Sequence, residues 1–376
     1  MPINSLPTHQ MPNSSNNLFI GTMSGTSHDG IDVCAISGTK KIKLHYFSSY
    51  KYPRNLHKRI AAVIQNQELG ISEWHEIHAD VGVAFASAIN KFFSEHGEIR
   101  ESTEVIGLSG QTLWHHPQGK YPFSLQAGDP KVVAELCGID VVSDFRNSHI
   151  HLGGEGAPLV PEFHQKIFLS SKHSQLILNI GGIANFSFLG KDQIFLGSDC
   201  GPGNSLMDVY CQKILNCAFD KNGKWAAAGL ISKKNLDAML KHAFFKKCHP
   251  KSTGREVFNL QFIPEQLLQM SKCDVLATLA ELTAISISRS IQSEIQGVNE
   301  IIVCGGGINN KHLMGRIEHH AALPLISSST YGFHPQAIES MAFGWMAQQR
   351  FRGNKLIVQT GNNQIKKGLL GVVTRA

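Results

Sequence analysis

The sequence predicts an α/β fold built as two similar lobes around a cleft, and three observations carry that expectation. Strand-like and helix-like segments alternate along the chain, the pattern of α/β proteins. The second half loosely echoes the first, each opening with a strand, a glycine turn and a second strand. The length, 376 residues, exceeds what one simple core organises and suggests two domains.

Taken in order, the first 17 residues are polar, rich in Ser, Asn and Pro, and read as a disordered tail without the charged start and apolar core of a signal peptide. Lobe I is expected at 18–140 together with 351–376, and lobe II at 141–350. Apolar residues at 18–20, 31 and 33–36 flank a polar turn and read as strand, turn, strand. Helical stretches are expected at 54–66 and 72–96, a strand at 105–108, a polar loop to Pro130, a short helix at 131–137 and a strand at 140–143. The glycine-rich stretch 144–161 reads as a long loop, of a size more often functional than not. Lobe II has strands at 176–178, 194–196 and 301–304. Its best helix is at 274–296, where Val275, Leu279, Leu282 and Ile285 step at helical spacing; another helix is expected at 335–350. Two short apolar runs, 356–358 and 369–373, close the chain.

The turns between these elements carry the chemistry. Residues 21–32 hold three glycines, four hydroxyl side chains and two aspartates, far more than an ordinary hairpin needs. Glycine permits close approach of backbone N–H groups to a polyphosphate. A second strand runs into Gly181-Gly182, and a third into Gly305-Gly306-Gly307, followed by a helix capped by Asn309 or Asn310. Asp199 precedes the sharp Pro202-Gly203 turn near the end of a strand, where α/β folds place reacting groups. The alternative is that it only caps the following turn.

Composition limits the function class. Apolar residues make up 42% and charged residues 17%, as in a globular protein. The net charge of +6 is mild and scattered, so no nucleic-acid track is expected. No apolar run approaches the ~20 residues of a membrane span. The eight cysteines form no C-x-x-C pair and suit free thiols in a reducing cytoplasm. The P-loop, dinucleotide and α/β-hydrolase signatures are absent.

These segments together resemble the anhydro-N-acetylmuramic acid kinases, a family of the actin/Hsp70/sugar-kinase superfamily of two-lobed ATP-binding proteins. The resemblance runs from about residue 19 to residue 373. It rests on the stretch from Met23 to Asp32, on Gly110-Gln111-Thr112, and on Gly153-Gly154 with Gly156-Ala157-Pro158-Leu159-Val160-Pro161. It continues through residues 179–185, Asp199 with Gly201-Pro202-Gly203-Asn204, and residues 251–256, 277–283 and 304–307. Glu339 with Met341-Ala342-Phe343 completes it. His28, Ser109, Cys200 and Glu155 depart from the family's usual residues, the last replacing a common Gln.

The resemblance implies an actin/Hsp70/sugar-kinase-like fold with an RNase H-like core in each lobe, ATP and Mg²⁺ as cofactors, a homodimer, and a place in murein recycling and amino-sugar catabolism. It implies that Gly25, Thr26, Ser27, His28, Asp29, Gly30, Ile31 and Asp32 hold the ATP phosphates, with Asp29 meeting the metal or its waters. Gly181 and Gly182 approach the phosphates from the other lobe, and Gly305, Gly306 and Gly307 lie under the adenosine. Gln111, Asp129 and Arg146 are candidates for the sugar; Arg146 meets either a substrate carboxylate or a surface partner. Glu339 either supports the site or places a favourable charge at a helix N-terminus. The family's substrate, 1,6-anhydro-N-acetylmuramic acid, has O6 tied to C1, so water must attack C1 as O6 takes the γ-phosphoryl group. One carboxylate then suffices as base, because the phosphoryl group captures the leaving oxygen. Asp199 is the candidate. The nearest rival is a conventional hexosamine kinase on the same fold. A non-catalytic sugar sensor would carry an appended helix-turn-helix, and an ATP-driven chaperone a separate peptide-binding domain.

Overall fold

The computed structural model describes residues 17–25, 30–66, 68–169, 174–190, 195–292, 298–360 and 364–376. The expected tail, 1–17, therefore lies outside the described residues up to position 16.

The first half contains β1 (Leu18–Met23), β2 (Ile31–Ser37), β3 (Lys43–Tyr50), α1 (Arg54–Asn66), α2 (Ile71–His96), β4 (Thr103–Gly107), β5 (Gln111–His116), β6 (Phe123–Ala127), α3 (Pro130–Cys137), β7 (Val141–Ser143), α4 (Phe145–His151) and α5 (Pro161–Phe168). The second contains β8 (Ser174–Ile180), β9 (Ala184–Leu189), β10 (Phe195–Gly201) and α6 (Ser205–Lys213), then the short helices α7 (Lys224–Ala227), α8 (Lys233–Leu240), α9 (Ala243–Lys246) and α10 (Glu265–Leu268). It continues with α11 (Lys272–Ile291), β11 (Val298–Cys304), α12 (Lys311–Ala321), β12 (Leu325–Ser327) and α13 (Ile338–Phe351), and ends in β13 (Leu356–Gln359), β14 (Ile365–Gly368) and β15 (Val372–Thr374).

The echo in the sequence is a duplicated topology. The first sheet runs β3-β2-β1-β4-β7, extended by β15, and the second runs β10-β9-β8-β11-β12. In each, the first three strands in chain order form an antiparallel meander and the next two add in parallel beyond the first strand. The parallel additions need helical crossovers, which explains the alternation of segments. Strands β1 and β8 sit centrally and are buried almost throughout, as strands covered on both faces must be. Strand β7 joins the first sheet although it begins at residue 141, and so does the C-terminal β15.

Three apolar clusters layer the molecule. One packs α1, α2 and α3 on the outer face of the first sheet, and another packs α6, α11 and α12 on the outer face of the second. The third joins Phe19 and Val105 of the first sheet to Ile177 and Ile302 of the second through α5 and α13. Helix α13 rests directly on β1 and β4: a methyl group at Gly21 would collide with the Ser340 carbonyl, and one at Gly107 with the Phe343 carbonyl.

Several expectations need correction. The loop to Pro130 contains the β5–β6 hairpin, which forms a separate two-stranded sheet. The long loop from 144 begins with α4 and becomes irregular only after Leu152. Helix α11 starts two residues earlier than expected and ends at Ile291, with 293–297 outside the described residues. Asp199 lies within β10, not beyond it, where a bulge interrupts pairing with β9 between Asp199 and Gly201.

Candidate active site

The opening turn is anchored at its base. The Ser24 N–H donates to Ser109 Oγ at 3.2 Å, and Ser24 Oγ lies 2.7 Å from Gln111 Oε1 and 2.9 Å from the Gly30 carbonyl. The Gln111 amide donates to the carbonyls of Gly25 (3.3 Å) and Thr112 (3.2 Å). Gln111 is fully buried, and both of its amide protons are spent within the protein. These bonds hold the turn. Thr26, Ser27, His28 and Asp29, all expected at the phosphates or the metal, lie outside the described residues. Ile31 buries its side chain in the first sheet's outer core, so only its backbone is left to face a ligand.

The glycine turns of the second half converge. The carbonyl of Gly181 accepts from Asn204 N (2.9 Å) and Nδ2 (3.2 Å), and that of Gly182 from Ser205 N (3.0 Å). Gly203 has φ +50°, and a methyl group there would stand 2.5 Å from the Gly181 carbonyl oxygen. Gly305, at φ +83°, packs against Ile180 at the end of β8, as does Gly307. Asn310, not Asn309, caps α12, accepting from Leu313 N at 3.1 Å. From behind, α11 pins this group: Thr283 Oγ1 donates to the Gly203 carbonyl (2.8 Å) and Ser290 Oγ to that of Cys200 (3.4 Å). Glu281 on the same helix receives two bonds from Arg316 of α12, at 2.6 and 2.7 Å. The residues 277–283 thus tie the turns to one rigid helix.

Asp199 sits at this junction, 7% exposed. Residues 249–253 fold along the edge of β10 and enclose it. The Asp199 N–H donates to the Lys251 carbonyl (2.9 Å), Lys251 N donates to Ser198 Oγ (3.0 Å), and Thr253 N donates to Asp199 Oδ2 at 2.8 Å. Burial pushes the Asp199 carboxyl up to about 7. The Thr253 N–H opposes the rise, Glu256 adds to it, the Arg146 guanidinium opposes it and Glu155 adds to it. A carboxyl poised near neutrality in a polar recess suits a general base. The departure at Glu155 has a visible partner, since Ser252 Oγ lies 3.2 Å from its Oε2.

Arg146 of α4 is the positive group of the cluster. Its Nη1 donates to the Gly156 carbonyl at 2.9 Å, Glu339 and Asp199 act on its charge, and its Nε is buried without a partner among the described residues. Glu339 stands in the first turn of α13; burial raises its carboxyl, Arg146 opposes that and Asp32 of β2 reinforces it. Charge contacts thus run from Asp32 through Glu339 and Arg146 to Asp199, linking the two sheets. Asp129 is placed elsewhere. It caps α3 through Lys131 N (2.8 Å), its N–H donates to the His78 carbonyl, and among the described residues no contact ties it to this cluster.

The residues 251–256 were visible as a motif but carried no role on sequence grounds. Their function depends on pairing with a strand some 50 positions away, which no local signal encodes. Gly254 was the one clue: Glu256 folds its carboxyl back into the space a side chain there would take.

Comparisons with known proteins give the family. The family model for anhydro-N-acetylmuramic acid kinase matches residues 17–375. A relative of that name from Gamma-proteobacterium EBAC31A08 is 43% identical over 362 residues, covering 96% of this chain and 99% of the relative. Another, from Shewanella woodyi, is 38% identical, covering 90% and 93%. Among solved structures, the activator of the 2-hydroxyisocaproyl-CoA dehydratase from Clostridium difficile with bound ADPNP aligns over 89% of this chain and 96% of its own, with TM-score 0.45 and 12% identity. A ROK family glucokinase from Streptomyces griseus in complex with glucose and AMPPNP aligns over 89% and 100%, with TM-score 0.41 and 11% identity. By the family match and the identity of its relatives, the chain belongs to the anhydro-N-acetylmuramic acid kinase family.

Proposed function

We propose that Asp199 is the base with which this kinase opens the 1,6-anhydro ring of 1,6-anhydro-N-acetylmuramic acid. Water attacks C1 and gives its proton to the Asp199 carboxylate. The C1–O6 bond breaks, and O6 takes the γ-phosphoryl group of ATP. The products are N-acetylmuramic acid 6-phosphate and ADP. The observation that carries the assignment is the placing of a buried carboxyl, half-neutral near pH 7, at the bulge where the glycine turns of the second sheet meet.

Arg146 favours the ionised forms of Asp199 and Glu339 against the pull of burial, and its Nε, without a partner among the described residues, is the donor left for the sugar. The glycine turns at 25–32, 181–182 and 305–307 are the proposed nucleotide contacts. Asp32 and Glu339 are the carboxyls proposed for Mg²⁺, since burial and, to a lesser degree, the charge of Asp32 disfavour ionisation of Glu339 in the absence of a cation. Mg²⁺ bound there with the nucleotide would neutralise phosphate charge. Among the described residues no group of three or more His, Cys, Asp or Glu gathers as a metal cage. The lobes are proposed at 18–140 with 351–376 and at 141–350, a division that β7 at 141–143 crosses because it pairs in the first sheet.

We place the enzyme in the cytoplasm, acting as a homodimer on a cell-wall fragment. All eight cysteines are free, which supports a reducing compartment, and no described helix is long and apolar enough to cross a membrane. The direct test is a coupled ADP-release assay. ADP should form with the anhydro-sugar as sole acceptor and not with N-acetylglucosamine; the reverse preference would establish the hexosamine-kinase rival.

A further inference from the structure

We propose that the hydroxyl of Thr253 holds the attacking water against Asp199. The inference rests on the reading of Asp199 as base. Two observations carry it. The carboxyl of Asp199 is gripped on one oxygen only: Thr253 N–H donates to Oδ2 at 2.8 Å, and Oδ1 accepts no hydrogen bond from any described residue. The Thr253 hydroxyl is buried and has no partner among the described residues.

A buried, unpaired hydroxyl is costly, and native proteins usually satisfy it with protein or with ordered water. A water buried in a protein needs two to four polar partners. Thr253 Oγ1 and Asp199 Oδ1 are two such partners on adjoining groups. The hydroxyl is joined through only Cα and Cβ to the nitrogen that holds the carboxylate, which keeps it in the neighbourhood of Asp199. Arg146, its own Nε without a partner among the described residues, acts on the same carboxyl.

The chemistry follows from this pairing. In the reaction the water's O–H bond breaks toward Asp199 Oδ1, while its oxygen forms the new bond to C1. A hydroxyl that donates to the water oxygen fixes its orientation and leaves the proton facing the base. The neighbouring residue contributes to the same arrangement, since Ser252 Oγ holds Glu155. The consecutive residues Ser252 and Thr253 therefore set the spacing of two carboxyls around one recess.

The test separates the hydroxyl from the amide. In Thr253→Val the shape and the N–H are kept and the hydroxyl is lost; in Thr253→Ser the hydroxyl is kept. The valine variant should lose about 10–100-fold in kcat, with KM for the anhydro-sugar within about twofold of wild type. Its acidic pH limb should stay where wild type has it, because the amide bond to Asp199 persists. The serine variant should recover most of the rate. Equal kcat in valine variant and wild type, or equal losses in valine and serine variants that keep the wild-type melting temperature, overturns the proposal. Thr253→Ala, read in the same way, serves if the valine variant does not fold. The parent reading is judged separately on the wild-type enzyme, by whether C1 of the product carries oxygen from ¹⁸O-water. Label at C1 with an unaffected valine variant sinks the Thr253 role alone; no label at C1 sinks both.

Discussion

The Asp199 carboxyl makes a pH dependence testable at one residue. Asp199 has its carboxyl raised to about 7 from an ordinary 3.8, first by burial and then by Glu256 and Glu155, against the pull of Thr253 N–H and Arg146. As a base it must be ionised, so turnover should rise with pH through about 7 and level off above it. Stability runs the other way. The native state keeps this proton to higher pH than the unfolded chain, so the group's contribution is present below 3.8 and is lost as pH rises through about 7. Asp199→Asn removes that penalty along with the base. Turnover should fall by about 10²–10⁴-fold with ATP affinity by calorimetry unchanged. The variant should also melt above wild type by a margin that grows from pH 5 to pH 8. Retained turnover, or a margin independent of pH, contradicts the assignment. Asp199 was legible as a carboxylate beside a Pro-Gly turn. Thr253 was not, because its role exists only where the 249–253 segment pairs with β10. Gln111 was legible as important, but its bonds to Ser24 and Gly25 were not, because they join residues 87 and 86 positions apart in the chain.

At the scale of elements, glycine decides how closely α13 can lie on the first sheet. Gly21 and Gly107 face the helix backbone, and Gly344 on the helix faces β1 in return. That close approach carries Glu339 to Asp32. Gly21→Ala should push the helix outward and cost about 1–3 kcal/mol in denaturant unfolding, the usual range for overpacking, with a loss of activity as Glu339 moves. Gly315 is the control, because it lies in α12 with nothing near enough to obstruct a side chain. Gly315→Ala should be neutral or stabilising by up to about 1 kcal/mol. Equal destabilisation at both positions would show that the helix contact is unimportant. Most long elements could be read from apolar periodicity. The β5–β6 hairpin could not, because it forms a two-stranded sheet that leaves Trp114 exposed and gives no clean alternation. Helix α4 was hidden too: it has seven residues, no acid in its first turn, and Asp144 before it in a left-handed conformation without a side-chain cap.

At the scale of the whole molecule, one topology is used twice and α13 lies between the copies. The sequence echo made the duplication legible because central, doubly covered strands leave long apolar runs before each glycine turn. The assignment of β7 and β15 to the first sheet was harder to see, since both are three-residue strands whose partners lie far away in sequence. The duplicated architecture brings charged groups from both sheets within electrostatic reach of one another: Asp32 and Glu339 act on each other, and Arg146 acts on both Glu339 and Asp199. That arrangement makes sense if water from the Asp199 side meets C1 while the phosphoryl group arrives at O6. Turnover in ¹⁸O-water, quenched before the product's hemiacetal exchanges with solvent, tests this most directly. The account predicts one ¹⁸O at C1 of the sugar phosphate and none in its phosphate group; label in the phosphate, with C1 unlabelled, would contradict it.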